Sequence, residues 1–165
     1  HEIKNYSEDH YSESAARLTN LFNAPKPVIV QERFLEDRLI HRTAKGLCVR
    51  SKSEVIIATE LDHVGIEYVY DGKFVGQDGT IRYPDFVIDD SETGKRYYWE
   101  HLGMLNKSDY RKRWDKKVIW YQRQGVLPID QGGGTNGILL TTIDHPDGGI
   151  DVTEIQKTIN LIKGN

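Results

Sequence analysis

The chain has 165 residues, of which 38% are hydrophobic and 28% are charged, as expected for one globular domain with a sizeable core. No apolar run approaches the roughly 18 residues needed to cross a bilayer, and the N-terminus lacks a signal-peptide pattern, so we expect a cytoplasmic protein without a membrane partner. Cys48 is the single cysteine, which excludes an intrachain disulfide and a cysteine-based zinc cluster. The net charge of −3 gives no overall basic signature, so a nucleic-acid partner must be argued from a local patch.

Hydrophobic spacing predicts a first helix over residues 7–24, whereas the segment from Val28 to Ile40 fits either a strand or a helix. A second helix is predicted from Ser51 to Leu61, ending near His63. The elements expected next are a strand over 66–70, a turn or hairpin over 71–80, and strands over 83–88 and 95–103. A helix over 107–124, a mobile glycine loop over 132–137 and a strand over 138–143 should follow. The last predicted helix is capped by Asp151, and its apolar stripe consists of Val152, Ile155, Ile159 and Ile162.

Two of the predicted strands carry acids, Asp85 near the start of one and Glu100 at the end of the next. Asp and Glu are depleted in strands, and a buried charge is costly without a cation beside it, so the pair suggests a cation site. With one cysteine and no His-x-x-x-His spacing, oxygen ligands and therefore Mg²⁺ or Mn²⁺ are favoured. The alternatives are that Asp85 caps a turn or forms a surface ion pair with Arg82 or Arg96, and that Glu100 pairs with Arg113.

A third acid, Glu54, lies in the second predicted helix. Ser51 and Glu54 fit a capping box, in which the Glu54 side chain returns to the backbone of Ser51. Glu54 also shares a helix face with Ile57, Ala58 and Leu61, and an acid on an apolar face needs a partner. Capping and a role in the metal site, direct or through water, both stay open.

Together, Pro84-Asp85, Glu100 fifteen positions later, the upstream Glu54 and the element order resemble the PD-(D/E)XK nuclease superfamily. The resemblance implies Mg²⁺ or Mn²⁺ held by Asp85, Glu100, Glu54 and the backbone carbonyl of His101. It also implies an enzyme that hydrolyses phosphodiester bonds, with Asp85 and Glu100 as the central catalytic acids.

The resemblance covers roughly residues 47–145. It implies an α/β fold with a restriction-endonuclease-like core, in which helices flank a mixed central β-sheet in αβββαβ order. We expect residues 47–165 to form this nuclease-like domain, and residues 1–46 to be an N-terminal, partly helical extension packed on it.

Two runs, Arg50–Glu54 and Tyr98–Gly103, are similar to nuclease domains found alone or fused to helicase-type proteins. This similarity implies DNA as the partner, in DNA processing or defence against foreign DNA. A nucleic-acid-binding or scaffolding module that kept the fold without the chemistry, and an RNA-directed nuclease, are the alternatives. A fused or associated helicase and a homo-oligomer stay open.

The lysine of the superfamily motif is missing, because Leu102 stands two positions after Glu100. Lys117 is the best replacement, since some branches of the superfamily place a functional lysine, or a Gln-x-x-x-Tyr pair, on the following helix. Its role would be to orient the attacking water or to stabilise charge on the phosphate. His101 is the second candidate, although its side chain should point away from that of Glu100 and serve in packing or support.

The helical spacing places Tyr110, Trp114, Lys117 and Tyr121 on one face. A lysine among three aromatic residues is expected to point inward over the site, and the alternative is a lysine that extends past them to solvent.

From residue 95 to 117 there are eight Lys or Arg residues against three acids. This local excess predicts a phosphate-binding rim, which a solvated basic helix face would equally resemble. The expected nucleic-acid contacts are Arg111, Lys112, Arg113, Lys116 and Tyr121.

Overall fold

The computed structural model describes residues 36–164. The predicted helix over 7–24, most of the ambiguous segment from Val28 to Ile40, and most of the predicted extension lie outside the described residues. Between residues 36 and 164, every helix is too short or too polar to span a bilayer.

The elements of this part follow in chain order. They are β1 (His41–Arg42), β2 (Cys48–Val49), α1 (Lys52–His63), β3 (Val69–Tyr70), β4 (Phe74–Val75), β5 (Ile81–Arg82), β6 (Phe86–Asp90), β7 (Lys95–Leu102), α2 (Ser108–Arg123), β8 (Val126–Pro128), β9 (Gly137–Ile143) and α3 (Val152–Lys163), with 3-10 turns at Glu36–Arg38 and Ile129–Gln131.

Five strands form one mixed sheet in the order β3-β6-β7-β9-β8. The pairs β3–β6 and β6–β7 are antiparallel, whereas β7–β9 and β8–β9 are parallel. The parallel pair β7–β9 requires a crossover, and α2 lies within that connection. The fold is therefore α/β with a mixed central sheet, as the sequence predicted.

Helices α1 and α3 cover one face of the sheet. Alternation along β7 turns Trp99 toward these helices, with no exposed surface. Val152, predicted on the apolar stripe of α3, is instead 39% exposed because it is the first residue of that helix. The helix residues buried in this core are Ile57, Ala58, Leu61, Ile155, Ile159 and Ile162.

Helix α2 covers the opposite face, to which Tyr98 of β7 points. Trp120 and Tyr121 of α2 pack there against Tyr98 and the neighbouring strands. The β4–β5 hairpin contributes Phe74, whose ring stacks on Tyr98 with centroids 4.6 Å apart. Gln124, at the end of α2, accepts the backbone N–H of Gln77 at 2.6 Å, which fixes the hairpin to the helix. The hairpin over 71–80 is thus confirmed.

Several predicted boundaries were wrong. The strand expected over 66–70 is limited to β3, because Ile66 still donates its N–H to Leu61 at the end of α1. The strand expected from residue 83 begins at Phe86, since Pro84 has no N–H to donate to a ladder. The sequence analysis missed β8, which is three residues long and gives no periodic signal.

The β1–β2 hairpin was also missed, and it crosses the predicted domain boundary. His41 pairs with Val49 and Arg42 with Cys48, on either side of the division expected between residues 46 and 47. The hairpin therefore belongs to the same compact unit as the central sheet.

The glycine loop over 132–137 is bonded into the fold at several points. Gly134 and Gly137 pair across it, and the backbone and side-chain amides of Asn136 donate to the carbonyls of Gly125 and Gln124. A Cβ added to Gly134 would lie 2.0 Å from the carbonyl oxygen of Gly125. Gly134 is therefore required for the chain to pass the end of α2.

We predict that Gly134→Ala destabilises the protein more than Gly132→Ala. Gly132 has a φ of 86° with open space around it, so its substitution costs only backbone strain, about 1 kcal/mol. Gly134→Ala forces the backbone apart and should cost about 2–3 kcal/mol of unfolding free energy. Urea denaturation of both variants checks this, and equal losses would contradict it.

Candidate functional site

Three acids form a row across neighbouring strands at one end of the sheet. Tyr70 pairs with Phe86 and Phe86 with Trp99, so the next position along each ladder places Asp71 beside Asp85 and Asp85 beside Glu100. The backbone N–H of Asp71 donates to the carbonyl of Asp85 at 3.2 Å, which extends the first ladder. Directly opposed residues share a sheet face, so Asp85 and Glu100 both lie on the α2 side.

Asp85 is the least compensated of these acids. Its side chain is 13% exposed, with Oδ2 accepting the backbone N–H of His101 at 2.7 Å and Oδ1 lying 3.3 Å from Nη2 of Arg50. Burial, followed by the charges of Glu100 and Glu54, raises the pKa of Asp85 to about 8, against the opposing effects of the His101 amide and Lys117. A carboxylate in this environment favours an additional cation. The partners expected from sequence, Arg82 and Arg96, are not the ones it has, since Arg96 pairs with Asp89.

Glu100 receives two contacts from α2. Nζ of Lys117 and the hydroxyl of Tyr121 both lie 2.5 Å from Oε1. The side chains of Glu100 and Lys117 are 5% and 24% exposed, so this ion pair is largely shielded from water. Lys117 points inward, as expected, and does not extend past the aromatic residues to solvent. Arg113, the alternative partner, is not the cation that binds Glu100.

Glu54 lies at the start of α1, on the other side of the sheet end. Ser51 is the N-cap and accepts the N–H of Glu54 at 3.1 Å. The capping-box prediction was wrong in its second half, because Oε2 of Glu54 accepts the N–H of Arg50, at 2.9 Å, rather than that of Ser51. The same oxygen accepts the hydroxyl of Tyr70 at 2.5 Å. Glu54 is 7% exposed, and its charge acts on Asp85.

Sequence reasoning missed two residues of the site, Arg50 and Asp71. The guanidinium of Arg50 binds both carboxylate oxygens of Asp71 at 2.5 Å. Burial raises the pKa of Asp71, although its hydrogen bonds with Arg50 oppose this. Asp71 has a φ of 52° and precedes Gly72, so in the sequence it reads as an ordinary turn residue.

The side chain of His101 connects strands β7 and β9 to the start of α1. Its Nε2 lies 2.9 Å from Oδ1 of Asp144, which also accepts the hydroxyl of Ser53 at 2.7 Å. Its Nδ1 lies 3.0 Å from the hydroxyl of Thr142, and that oxygen accepts Nε1–H of Trp99. Burial lowers the pKa of His101 although Asp144 opposes this, and all bonds are satisfied when neutral His101 donates from Nε2. The side chain therefore supports the strand, as expected, while its backbone N–H holds Asp85.

Tyr110 of α2 also borders the carboxylates. Its pKa is raised by burial and then by the charges of Asp85 and Glu100, and it accepts a hydrogen bond from the backbone N–H of Gly103. The guanidinium of Arg113 lies 5.8 Å from the centre of its ring. Tyr110 thus forms the edge of the site between the acids and the exposed surface of α2.

That exposed surface is basic, with Arg111, Lys112, Arg113 and Lys116 all exposed. Tyr121, predicted to contact nucleic acid, is instead fully buried, and its hydroxyl is bonded to Glu100. The prediction for Tyr121 was wrong because the helix turns this residue into the core, on the same face as Lys117. Its structural role is to hold Glu100.

Asp85 and Glu100 are the two carboxylates of this row that could hold a divalent ion. Among residues 36–164 no group of three or more His, Cys, Asp or Glu side chains is arranged to hold a metal ion. The carboxylates of Asp85 and Glu100 are hard oxygen donors in one cross-strand row, and Mg²⁺ needs only one or two carboxylates, with water and other oxygens completing its shell. Burial and the charges of Glu100 and Glu54 raise the pKa of Asp85, so a cation beside this residue would stabilise its ionised form.

The chain matches no family model. It is 34% identical over 149 residues to an uncharacterized protein of Methanocaldococcus jannaschii. The match covers 87% of this chain but only 11% of that relative, so the chain spans about a ninth of its length.

We predict that Asp85 makes the protein without divalent ions less stable as the pH rises. Its folded pKa, about 8, lies above its ordinary value of 3.8, so unfolding releases a proton between these values and the unfolding free energy falls with increasing pH. From pH 6 to pH 8 the loss should be about 2 kcal/mol. Urea denaturation in EDTA measures it.

The matched comparison is Asp85→Asn, which keeps the acceptor for the His101 amide but cannot ionise. Between pH 6 and pH 8 this variant should lose less stability than the wild type does. The same pH dependence in both proteins would show that Asp85 does not titrate there.

Proposed function

We propose that this protein is a metal-dependent nuclease of the PD-(D/E)XK type that hydrolyses phosphodiester bonds, with DNA as its substrate. The observation that carries the proposal is the opposition of Asp85 and Glu100 on one sheet face, with Lys117 bonded to the second acid. Asp85 is also left with a raised pKa that a bound cation would lower. The competing function, a binding module that kept the fold without the chemistry, would retain the same acids, so cleavage assays are what separate the two.

In this proposal Asp85 and Glu100 would hold Mg²⁺ or Mn²⁺, with the His101 carbonyl as a further oxygen ligand and Glu54 acting directly or through water. The chemistry that such an ion would supply is acidification of a water and neutralisation of charge on the scissile phosphate. Water oxygen bonds to phosphorus, the bond to the leaving oxygen breaks, and that oxygen takes up a proton. Lys117 orients the attacking water or stabilises charge on the phosphoryl oxygens.

The fold supports the proposal beyond the acids themselves. The order from α1 through β3, β6 and β7 to α2, β9 and α3 is compatible with the αβββαβ order expected of such a nuclease core, with the β4–β5 hairpin and β8 as additions. The match to a small segment of a much longer protein supports a module that occurs fused to other domains. A DNA-processing partner, such as a helicase, belongs to this proposal.

Replacement of Asp85 should abolish cleavage. We expect Asp85→Asn to lower the rate of plasmid and single-stranded DNA cleavage in Mg²⁺ or Mn²⁺ by at least about a hundredfold, because the ion loses a charged ligand. The control is Asp89→Asn on the same strand, whose side chain is 62% exposed and pairs with Arg96. Similar activity of Asp85→Asn and wild type would remove the enzyme assignment.

Lys117→Met should lower turnover by at least about a hundredfold while metal binding persists, since the variant removes the charge at the reacting phosphate but no ion ligand. Lys163→Met, on the exposed surface of α3, is the matched control and should cleave normally. Calorimetry with Mn²⁺ separates binding from turnover. Near-normal turnover of Lys117→Met would assign the lysine role to another residue.

The basic surface of α2 should set affinity without sequence preference. We expect Lys112→Gln combined with Lys116→Gln to weaken duplex binding and to reduce the slope of log affinity against log salt by up to about 2. Lys157→Gln combined with Lys163→Gln, on α3, is the control. An unchanged slope would mean that this surface faces water and does not bind phosphate.

A substrate panel that includes RNA tests the alternative of an RNA-directed nuclease.

A further inference from the structure

Arg50 enters the site from a fixed backbone position. It immediately precedes the N-cap of α1. Its backbone N–H donates to Oε2 of Glu54 at 2.9 Å and to the hydroxyl oxygen of Tyr70 at 3.1 Å. Its side chain crosses the ring of Tyr70, with the guanidinium carbon 5.2 Å from the ring centre, and reaches Asp71 and Asp85. The side chain is 17% exposed, so the guanidinium is directed by its surroundings rather than by solvent.

The charges of the site do not balance. Glu54 and the acid row contribute four carboxylates, while Arg50 and Lys117 contribute two cationic side chains. The excess is two negative charges when all four acids are ionised, which one divalent ion neutralises. A second divalent ion would give the site a net positive charge before any substrate phosphate arrives.

The acids that would serve a second ion already have cationic partners. Asp71 is bound at both oxygens by Arg50, and Glu100 is bound at Oε1 by Lys117. Asp85 has a single long contact with Nη2 of Arg50, at 3.3 Å. A cation that binds Asp85 therefore displaces a weaker interaction than a cation that binds Asp71 or Glu100.

We propose that the site takes one divalent ion, and that Arg50 acts as its second cation by binding the substrate phosphate through the Nη2 that now contacts Asp85. This inference rests on the proposed nuclease function and specifies its metal stoichiometry and a phosphate-binding residue. Arg50 suits the role because its guanidinium stays charged and can keep its two bonds to Asp71 while the remaining N–H of Nη2 turns to a phosphate oxygen.

The first test counts ions in the full chain. The wild-type protein, in the absence of nucleic acid, is titrated with Mn²⁺ at pH 8 and followed by calorimetry and by the electron paramagnetic resonance signal of free Mn²⁺. One ion per chain is the expected result. Two ions would overturn the inference and leave the nuclease proposal intact, whereas no saturable binding would overturn both.

The second test separates phosphate binding from a structural role of Arg50. The double variant Arg50→Gln with Asp71→Asn replaces the ion pair by neutral hydrogen-bonding groups and keeps the net charge of the site. Its Mn²⁺ dissociation constant should stay within about threefold of the wild-type value, while kcat falls by about a hundredfold, since a positive donor at the phosphate is lost. Normal kcat would show that Arg50 only holds the Asp71 turn.

A matched pair controls for the loss of an ion pair as such. Arg96→Gln with Asp89→Asn removes the bidentate pair at the other end of the β6–β7 ladder and should retain wild-type cleavage.

The single variant Asp71→Asn gives a readout that does not depend on whether the double variant folds. Freed from its anionic partner, the charge of Arg50 acts more strongly on Asp85, and Mn²⁺ binding should weaken by about threefold or more. Unchanged binding would overturn the coupling of Arg50 to the ion site.

Discussion

A row of buried carboxylates lies at the end of the β3–β6–β7 ladders, and neighbouring cations balance its negative charge only in part. The rest of the site depends on this constraint. Removing a carboxylate from water is costly, and a row of three on adjacent strands adds mutual repulsion to that cost. The surrounding structure supplies Arg50 for Asp71 and Lys117 for Glu100. Asp85, between them, receives one amide and one long guanidinium contact, which leaves it as the position where an added cation is most favourable.

The two faces of the sheet contribute different parts of this arrangement. Helix α1, on one face, fixes Glu54 and the residue before its cap, while α2, on the other, directs Lys117 and Tyr121 at Glu100. The network around His101 joins the strand that carries Glu100 to Ser53 at the start of α1. Side chains far apart in sequence thus meet at one end of the sheet, because each face of the sheet is anchored by its own apolar core.

Sequence patterns could predict the parts of the site that depend on local spacing. Asp85 and Glu100 are unusual on strands, and Lys117 shares a helical face with aromatic residues, so each was identified without coordinates. Arg50 and Asp71 could not be identified, because their pairing depends on the register between β3 and β6 and on a turn with φ of 52°. The same reason explains Tyr121, whose burial depends on where α2 packs rather than on its own sequence. Short elements such as β8 and the β1–β2 hairpin exist only through their long-range pairing.

The most direct test of the account is a crystal structure of the protein grown with Mn²⁺, with data collected at the manganese absorption edge. The account predicts one anomalous peak per chain, within coordination distance of carboxylate oxygens of both Asp85 and Glu100. A peak that is absent at saturating Mn²⁺, or that lies away from these two residues, would contradict it.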